Sequence, residues 1–216
     1  EGDPADLPES REFLTDWVLP KEPDAVIYAH EEPHSVPAEG VIEYLYTSAA
    51  TNFKEDKWVS VAEIVPGARS VVHHVIAFVR RPGQRNGDFG GARGGFLAAY
   101  VPGMLARPFP QGMAKFVPAG SDIIFQIQYT PVGSPKNDRT KIGLIFADPE
   151  EVTHLVTTGA AVQPNLRIPP KDDNYRVEAV SPASPKDVLL LGMMPHMHLR
   201  GKSFRLFADR GDLEDV

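Results

Sequence analysis

The sequence predicts an all-β protein, built as a β-sandwich or jelly roll from short strands joined by turns. Three observations carry this. Of 216 residues, 21 are Pro and 18 are Gly, a punctuation that interrupts long helices and favours turns between short apolar runs. Several of those runs alternate apolar and polar residues at the two-residue period of a half-buried strand. No helical period is sustained beyond one short stretch.

Taken in order, Glu1 to Pro23 is acidic and Pro-rich, with a short helical expectation over Ser10 to Val18, and reads as a linker or packing arm. In the first expected strand, Ile42, Tyr44 and Tyr46 alternate with Val41, Glu43 and Leu45. Strands at Lys57–Val65 and Val71–Val79 follow, separated by the turn signal Pro66-Gly67. Residues Pro82 to Gly95 form a Gly- and Arg-rich exposed loop. A phosphate cradle is the alternative reading there, but no strand–helix frame or Gly-Lys-Ser follows it. Gly201-Lys202-Ser203 does not qualify either, because His196 stands five residues earlier where a glycine is needed. Further strands are expected at Ile123–Tyr129, Lys141–Phe146, Tyr175–Val180, Val188–Met194 and Phe204–Phe207. The turn-rich stretch Gln163 to Asn174 reads as a join between two sheets or two domains.

Composition narrows the chemistry. A net charge of -7 argues against a nucleic-acid partner, which calls for a basic face. No apolar run approaches the roughly 18 residues of a membrane-spanning helix. The chain begins at Glu1 rather than Met and reads as a processed or excised segment, so its ends do not address localisation. The absence of cysteine removes disulfides and thiolate-ligated metals, leaving His, Met, carboxylate and amide groups as ligands.

Four of the seven histidines fall in two tight pairs. His73 and His74 are adjacent in an expected strand, where neighbouring side chains point to opposite faces. They can share a metal if the backbone bulges there or if the rings coordinate through different nitrogens. Otherwise one is a core residue and the other lies at the surface. His196 and His198, two apart, would project from the same face of a strand about 7 Å apart, a spacing that suits chelation by two neutral imidazoles. Met193, Met194 and Met197 lie close by. Imidazole and thioether together favour copper over calcium or magnesium, although methionines in so apolar a run also serve as core filler. His30, His34 and His154 sit in polar or irregular contexts and read as surface residues. The chain has no Gly-x-Ser-x-Gly elbow and no His-Glu-x-x-His helix, and the carboxylate pairs Glu31-Glu32 and Asp172-Asp173 lie in turn-like segments.

Together these segments resemble the copper type II, ascorbate-dependent monooxygenases, which include the peptidylglycine α-hydroxylating and dopamine β-monooxygenases, and most closely their bacterial relatives. Val72-His73-His74-Val75-Ile76 is similar to the family's paired-histidine strand. Pro195-His196-Met197-His198-Leu199-Arg200-Gly201-Lys202 is similar to its H-x-H-x-x-G-[KR] motif. Phe125 to Thr130, followed by Asn137-Asp138-Arg139, resembles the segment between the two, and order and spacing agree across about residues 24 to 208.

The resemblance implies a jelly-roll β-sandwich over residues 24–156, preceded by an arm at 1–23, and the start of a second such domain at 157–216. It implies two copper sites. One, at His73 and His74 with Gln128 where the family has a third histidine, would transfer electrons. The other, at His196 and His198, would be catalytic and activate oxygen, with ascorbate or another reductant as electron donor. It also implies a small-molecule or peptide substrate hydroxylated at C–H, an extracytoplasmic location, and a cytochrome c electron donor, since Glu1 to Pro8 resembles a linker that follows such a module in some bacterial relatives. The family's later methionine ligand has no counterpart in this chain, and Met193, Met194 and Met197 do not take its place. Two alternatives stand beside this reading: a non-catalytic copper-binding or electron-relay module, and a plain interaction or carbohydrate-binding sandwich.

Overall fold

A computed structural model describes residues 16–85, 95–197 and 200–208. The chain divides into two compact units, Glu1–Gly159 and Ala160–Val216. The fold is all-β. Its strands are β1 (Ala25–Tyr28), β2 (His34–Val36), β3 (Leu45–Ala50), β4 (Lys57–Val65), β5 (Val72–Arg80), β6 (Phe96–Tyr100), β7 (Met113–Val117), β8 (Asp122–Tyr129), β9 (Lys136–Asp138), β10 (Lys141–Phe146) and β11 (His154–Leu155).

The strands of the first unit form two main sheets, ordered β1-β10-β4-β7-β11 and β3-β8-β5-β6, with a small β2-β9 ribbon. Pairing is antiparallel except for β11 against β7. Leaving out the short β2, β9 and β11, the first, eighth, third and sixth strands make one sheet and the second, seventh, fourth and fifth make the other. That order is a doubled Greek key, the jelly-roll arrangement. One apolar cluster fills the space between the sheets. Ile27, Val59, Val117, Ile142 and Leu144 come from one sheet, and Val72, Val75, Ala77, Phe125 and Ile127 from the other. Valine and isoleucine dominate because branched side chains fit the pleated surface and bury well on one face.

Residues 16–24 cover the outer face of the five-stranded sheet. The Trp17 ring lies where a side chain on Gly143 would stand, 2.9 Å from the position of an added Cβ. Glu63 Oε2 accepts the Val18 N–H at 2.8 Å, and Lys141 sits over Trp17, 4.3 Å from the ring centre. The arm expected at the N-terminus therefore packs on the sheet where it is described. Asp16 to Val18 are not helical, and the rest of the expected Ser10–Val18 helix lies outside the described residues, as does most of the expected 82–95 loop.

Several expectations change. The strand expected around Ile42 to Tyr46 begins at Leu45 instead, and Leu45, Thr47 and Ala49 face inward. Pairing with β8, which sets Leu45 against Ile127, decides this phase; local alternation alone does not. In the second unit, Tyr175–Val180, Val188–Met194 and Phe204–Phe207 form no ladders. A strand needs a neighbour to take its N–H and C=O groups, and no described residue of this unit supplies one. The apolar side chains from Val188 to Met194 are accordingly between 45% and 74% exposed. Among the described residues no helix is long and apolar enough to cross a membrane.

Lys115 on β7 ties the two sheets together. Its Nζ donates to the carbonyls of Phe96 at 2.8 Å and Leu97 at 3.2 Å, and to Thr158 Oγ1 at 3.1 Å. Burial lowers its pKa from 10.5 to about 8. Between those values the unfolded chain holds a proton that the folded chain has released, so stability rises with pH across this window. The gain is expected to reach about 3 kcal/mol and to vanish in Lys115→Met. Urea unfolding of both proteins at pH 7.5 and 10 checks this, and equal pH slopes would refute it.

Candidate metal centre

The paired histidines lie near the start of β5, where the ladder with β8 is irregular. Val72 pairs with Tyr129 and His74 with Gln128, so His73 is an extra residue on the β5 side. A bulge of this kind re-aims a side chain that would otherwise alternate to the opposite face. The two imidazoles consequently converge, with Nδ1 of His73 and Nδ1 of His74 3.1 Å apart and the rings inclined at 69°. His73 is exposed and His74 half-buried. The condition for two adjacent strand histidines to share an ion is therefore met through the bulge.

Gln128 stands directly opposite His74 on β8. Ile127 and Tyr129 on either side of it point into the core, so Gln128 projects from the outer face of the four-stranded sheet. Its Oε1 accepts the Tyr44 hydroxyl at 3.4 Å, and the Tyr44 ring lies 5.7 Å from that of His74. Next along this face the amide of Gln126 donates to the Tyr46 hydroxyl. The result is a shallow polar patch in which two imidazoles, an amide and a phenol meet.

The donor set fits a borderline metal. Two imidazole nitrogens 3.1 Å apart fall within the span of two bonds of about 2.0 to 2.1 Å to one ion. No group of three or more His, Cys, Asp or Glu gathers among the described residues, so no carboxylate joins the two histidines. Carboxylates, which would favour calcium, magnesium or manganese, are thus not part of the set.

Beneath the bulge lies a buried network that sequence reasoning did not anticipate. Asp138, with no exposed surface, accepts the Ala68 N–H on Oδ1 at 2.8 Å. Its Oδ2 accepts the Tyr129 hydroxyl at 2.9 Å, the Thr140 hydroxyl at 2.7 Å and the Thr140 N–H at 3.2 Å. Burial and the Asp138 charge together push the Tyr129 phenol well above its usual pKa, so it remains a donor. The carboxylate thus joins the turn before β5 to the end of β8, the two segments that carry His73, His74 and Gln128. At that turn Gly67 leaves no room for a side chain, since an added Cβ would stand 2.5 Å from Arg139 N.

His30 and His34, read as surface residues from sequence, are half-buried instead. Their rings stack at 5.1 Å, and His34 stacks on Tyr129 at 5.3 Å. Burial and the neighbouring His34 lower the pKa of His30. The β2-β9 ribbon, in which His34 pairs with Asp138, is what brings them inward, and no local sequence signal marks so short a ribbon. His154 is exposed, as expected.

Of the second histidine pair only one member is described. His196 is exposed and outside any strand, and His198 lies outside the described residues. The same-face argument for this pair assumed a strand, and no ladder forms at Pro195 to Met197. Comparison with family models, with curated proteins and with solved structures found no match.

Proposed function

We propose that this chain is a copper-binding protein of the copper type II monooxygenase kind, with His73 and His74 holding the electron-transfer metal. One observation carries the proposal: the β5 bulge brings two imidazole nitrogens to 3.1 Å in a site without carboxylates. The resemblance of the ordered histidine motifs adds the activity. Copper bound there would supply one-electron transfer, and copper at His196 and His198 would supply oxygen activation for hydroxylation of a substrate C–H bond.

The protein's own part is to fix ligand number and direction. The bulge aims both Nδ1 atoms to one side, Tyr44 holds the Gln128 amide, and Asp138 locks the turn and strand that carry them. An external reductant such as ascorbate, a cytochrome c partner, a small-molecule or peptide substrate and an extracytoplasmic location belong to the same proposal and rest on the resemblance alone.

A competition titration of Cu(I) and Cu(II) tests it. The His73→Ala/His74→Ala variant is expected to lose about one equivalent of copper relative to the unsubstituted chain. A His196→Ala/His198→Ala variant reports separately on the second pair. Identical binding by the His73→Ala/His74→Ala variant and the parent chain would sink the assignment of the first site.

A second reading is a copper-binding or electron-relay module without hydroxylation of its own. Gln128 favours it, because an amide oxygen is a weaker copper donor than the imidazole the family carries and impairs cycling between Cu(I) and Cu(II). Turnover of a C–H substrate with oxygen and ascorbate would eliminate this reading.

A further inference from the structure

A cavity of about 180 Å³ opens in the first unit and plays no part in the copper proposal. Its walls carry opposite charges on two elements, Glu63 from β4 and Arg69 from the turn before β5. Ile64, Tyr100, Met104 and Leu105 supply most of the remaining surface.

The two charged groups do not neutralise each other directly. No ion pair closes between them among the described residues. Arg69 Nε is buried with no hydrogen-bond partner there, although a buried polar group left unpaired is costly. The guanidinium rests against the Tyr100 ring, 5.5 Å from its centre. That contact covers one face of the planar fork. Glu63 is only 8% exposed, and one of its oxygens accepts the Val18 N–H. Burial raises its carboxyl pKa, against the opposing pull of the Val18 N–H, the Arg69 charge and the Leu19 N–H. A cation arriving beside it would add to the countercharge that Arg69 supplies without a direct ion pair.

We infer that this cavity binds a small zwitterion of the α-amino-acid type, its carboxylate on the Arg69 fork and its ammonium on Glu63. A planar carboxylate matches the guanidinium edge, which makes the strong charge-assisted contact. A simple anion would satisfy Arg69 but meet the Glu63 charge, and a simple cation would do the reverse. Only a ligand carrying both charges answers both walls. The volume admits about six to eight non-hydrogen atoms. Ile64, Met104 and Leu105 would face a short aliphatic side chain.

Calorimetric titration of the full chain with glycine, alanine and valine, beside acetate and methylammonium, tests the inference. The amino acids are expected to bind, and the two single-charge ions to bind at least about tenfold more weakly. Arg69→Gln and Glu63→Gln should each weaken alanine binding by about tenfold or more. Glu63→Gln keeps an oxygen for the Val18 N–H, so the arm should stay docked. If either variant fails to fold, the Met104 methyl resonance of the unsubstituted chain decides. A shift on adding alanine supports the site, and no shift overturns it. Acetate binding as tightly as alanine, absence of amino-acid binding at millimolar concentration, or undiminished binding by the folded variants would each overturn it too.

Discussion

Replacing Asp138 by Ala is expected to lower stability by about 3 to 5 kcal/mol and to disorganise the histidine pair with it. The carboxylate is fully buried and accepts from Ala68 N–H, Thr140 N–H and the hydroxyls of Tyr129 and Thr140. Truncation strands all four donors, three of them buried and the Ala68 N–H half-buried, and stranded donors cost more than the net worth of a made bond. The loss has a direction as well as a size. Ala68 belongs to the turn that leads into β5, and Tyr129 is the ladder partner of Val72, immediately before the bulge. Releasing both frees the segment that sets the angle between His73 and His74. Urea unfolding gives the first quantity, and the copper stoichiometry of the folded fraction gives the second. Asp138→Asn is the informative companion. It keeps one acceptor oxygen and the volume but not the charge, so it should recover part of the stability. A loss below about 1 kcal/mol in Asp138→Ala would show that the network does not hold this part of the sandwich.

The second large effect is a gain. Gln128→His is expected to raise Cu(II) affinity by about tenfold or more over the unsubstituted chain. Position 128 faces His74 directly across the β5–β8 ladder, on the outer face of the sheet. A third imidazole would replace an amide oxygen that is already occupied in part by the Tyr44 hydroxyl. Imidazole serves both copper oxidation states, so a measured reduction rate should rise along with affinity. Tyr44→Phe separates the two contributions. Freed of its phenol partner, the native amide should gain slightly, by far less than the histidine does. Unchanged affinity in Gln128→His would mean that side chains at 128 do not reach an ion held by the histidine pair, and the first site would then rest on two ligands alone.

Much of this architecture was legible before any coordinates. The frequency of Pro and Gly, the strand runs Lys57–Val65, Ile123–Tyr129 and Lys141–Phe146, and the alternation placing Gln126 and Gln128 opposite Phe125 and Ile127 are local properties. The structure keeps them because a half-buried strand must alternate in this way. The adjacency of His73 and His74 was equally visible, together with the condition under which they cooperate.

Whether that condition holds was decided by tertiary pairing. A bulge is a mismatch between two strands, and β8 lies about 50 residues from the site of the mismatch in β5, so no window of sequence contains both partners. The same is true of Asp138. Its role comes from Ala68 and Tyr129, brought to it from two other parts of the chain. The start of β3 and the inward turn of His30 and His34 likewise depend on the neighbouring strands β8 and β9. The runs Val188–Met194 and Phe204–Phe207 show the converse. Their apolar runs are of strand length, yet a strand exists only where a second one takes its hydrogen bonds. Sequence by itself determined the class of fold, the alternation along β8 and the side chains that carry metal-ligating atoms. Only the tertiary structure decided which of those residues meet, because meeting requires a partner that local sequence does not contain.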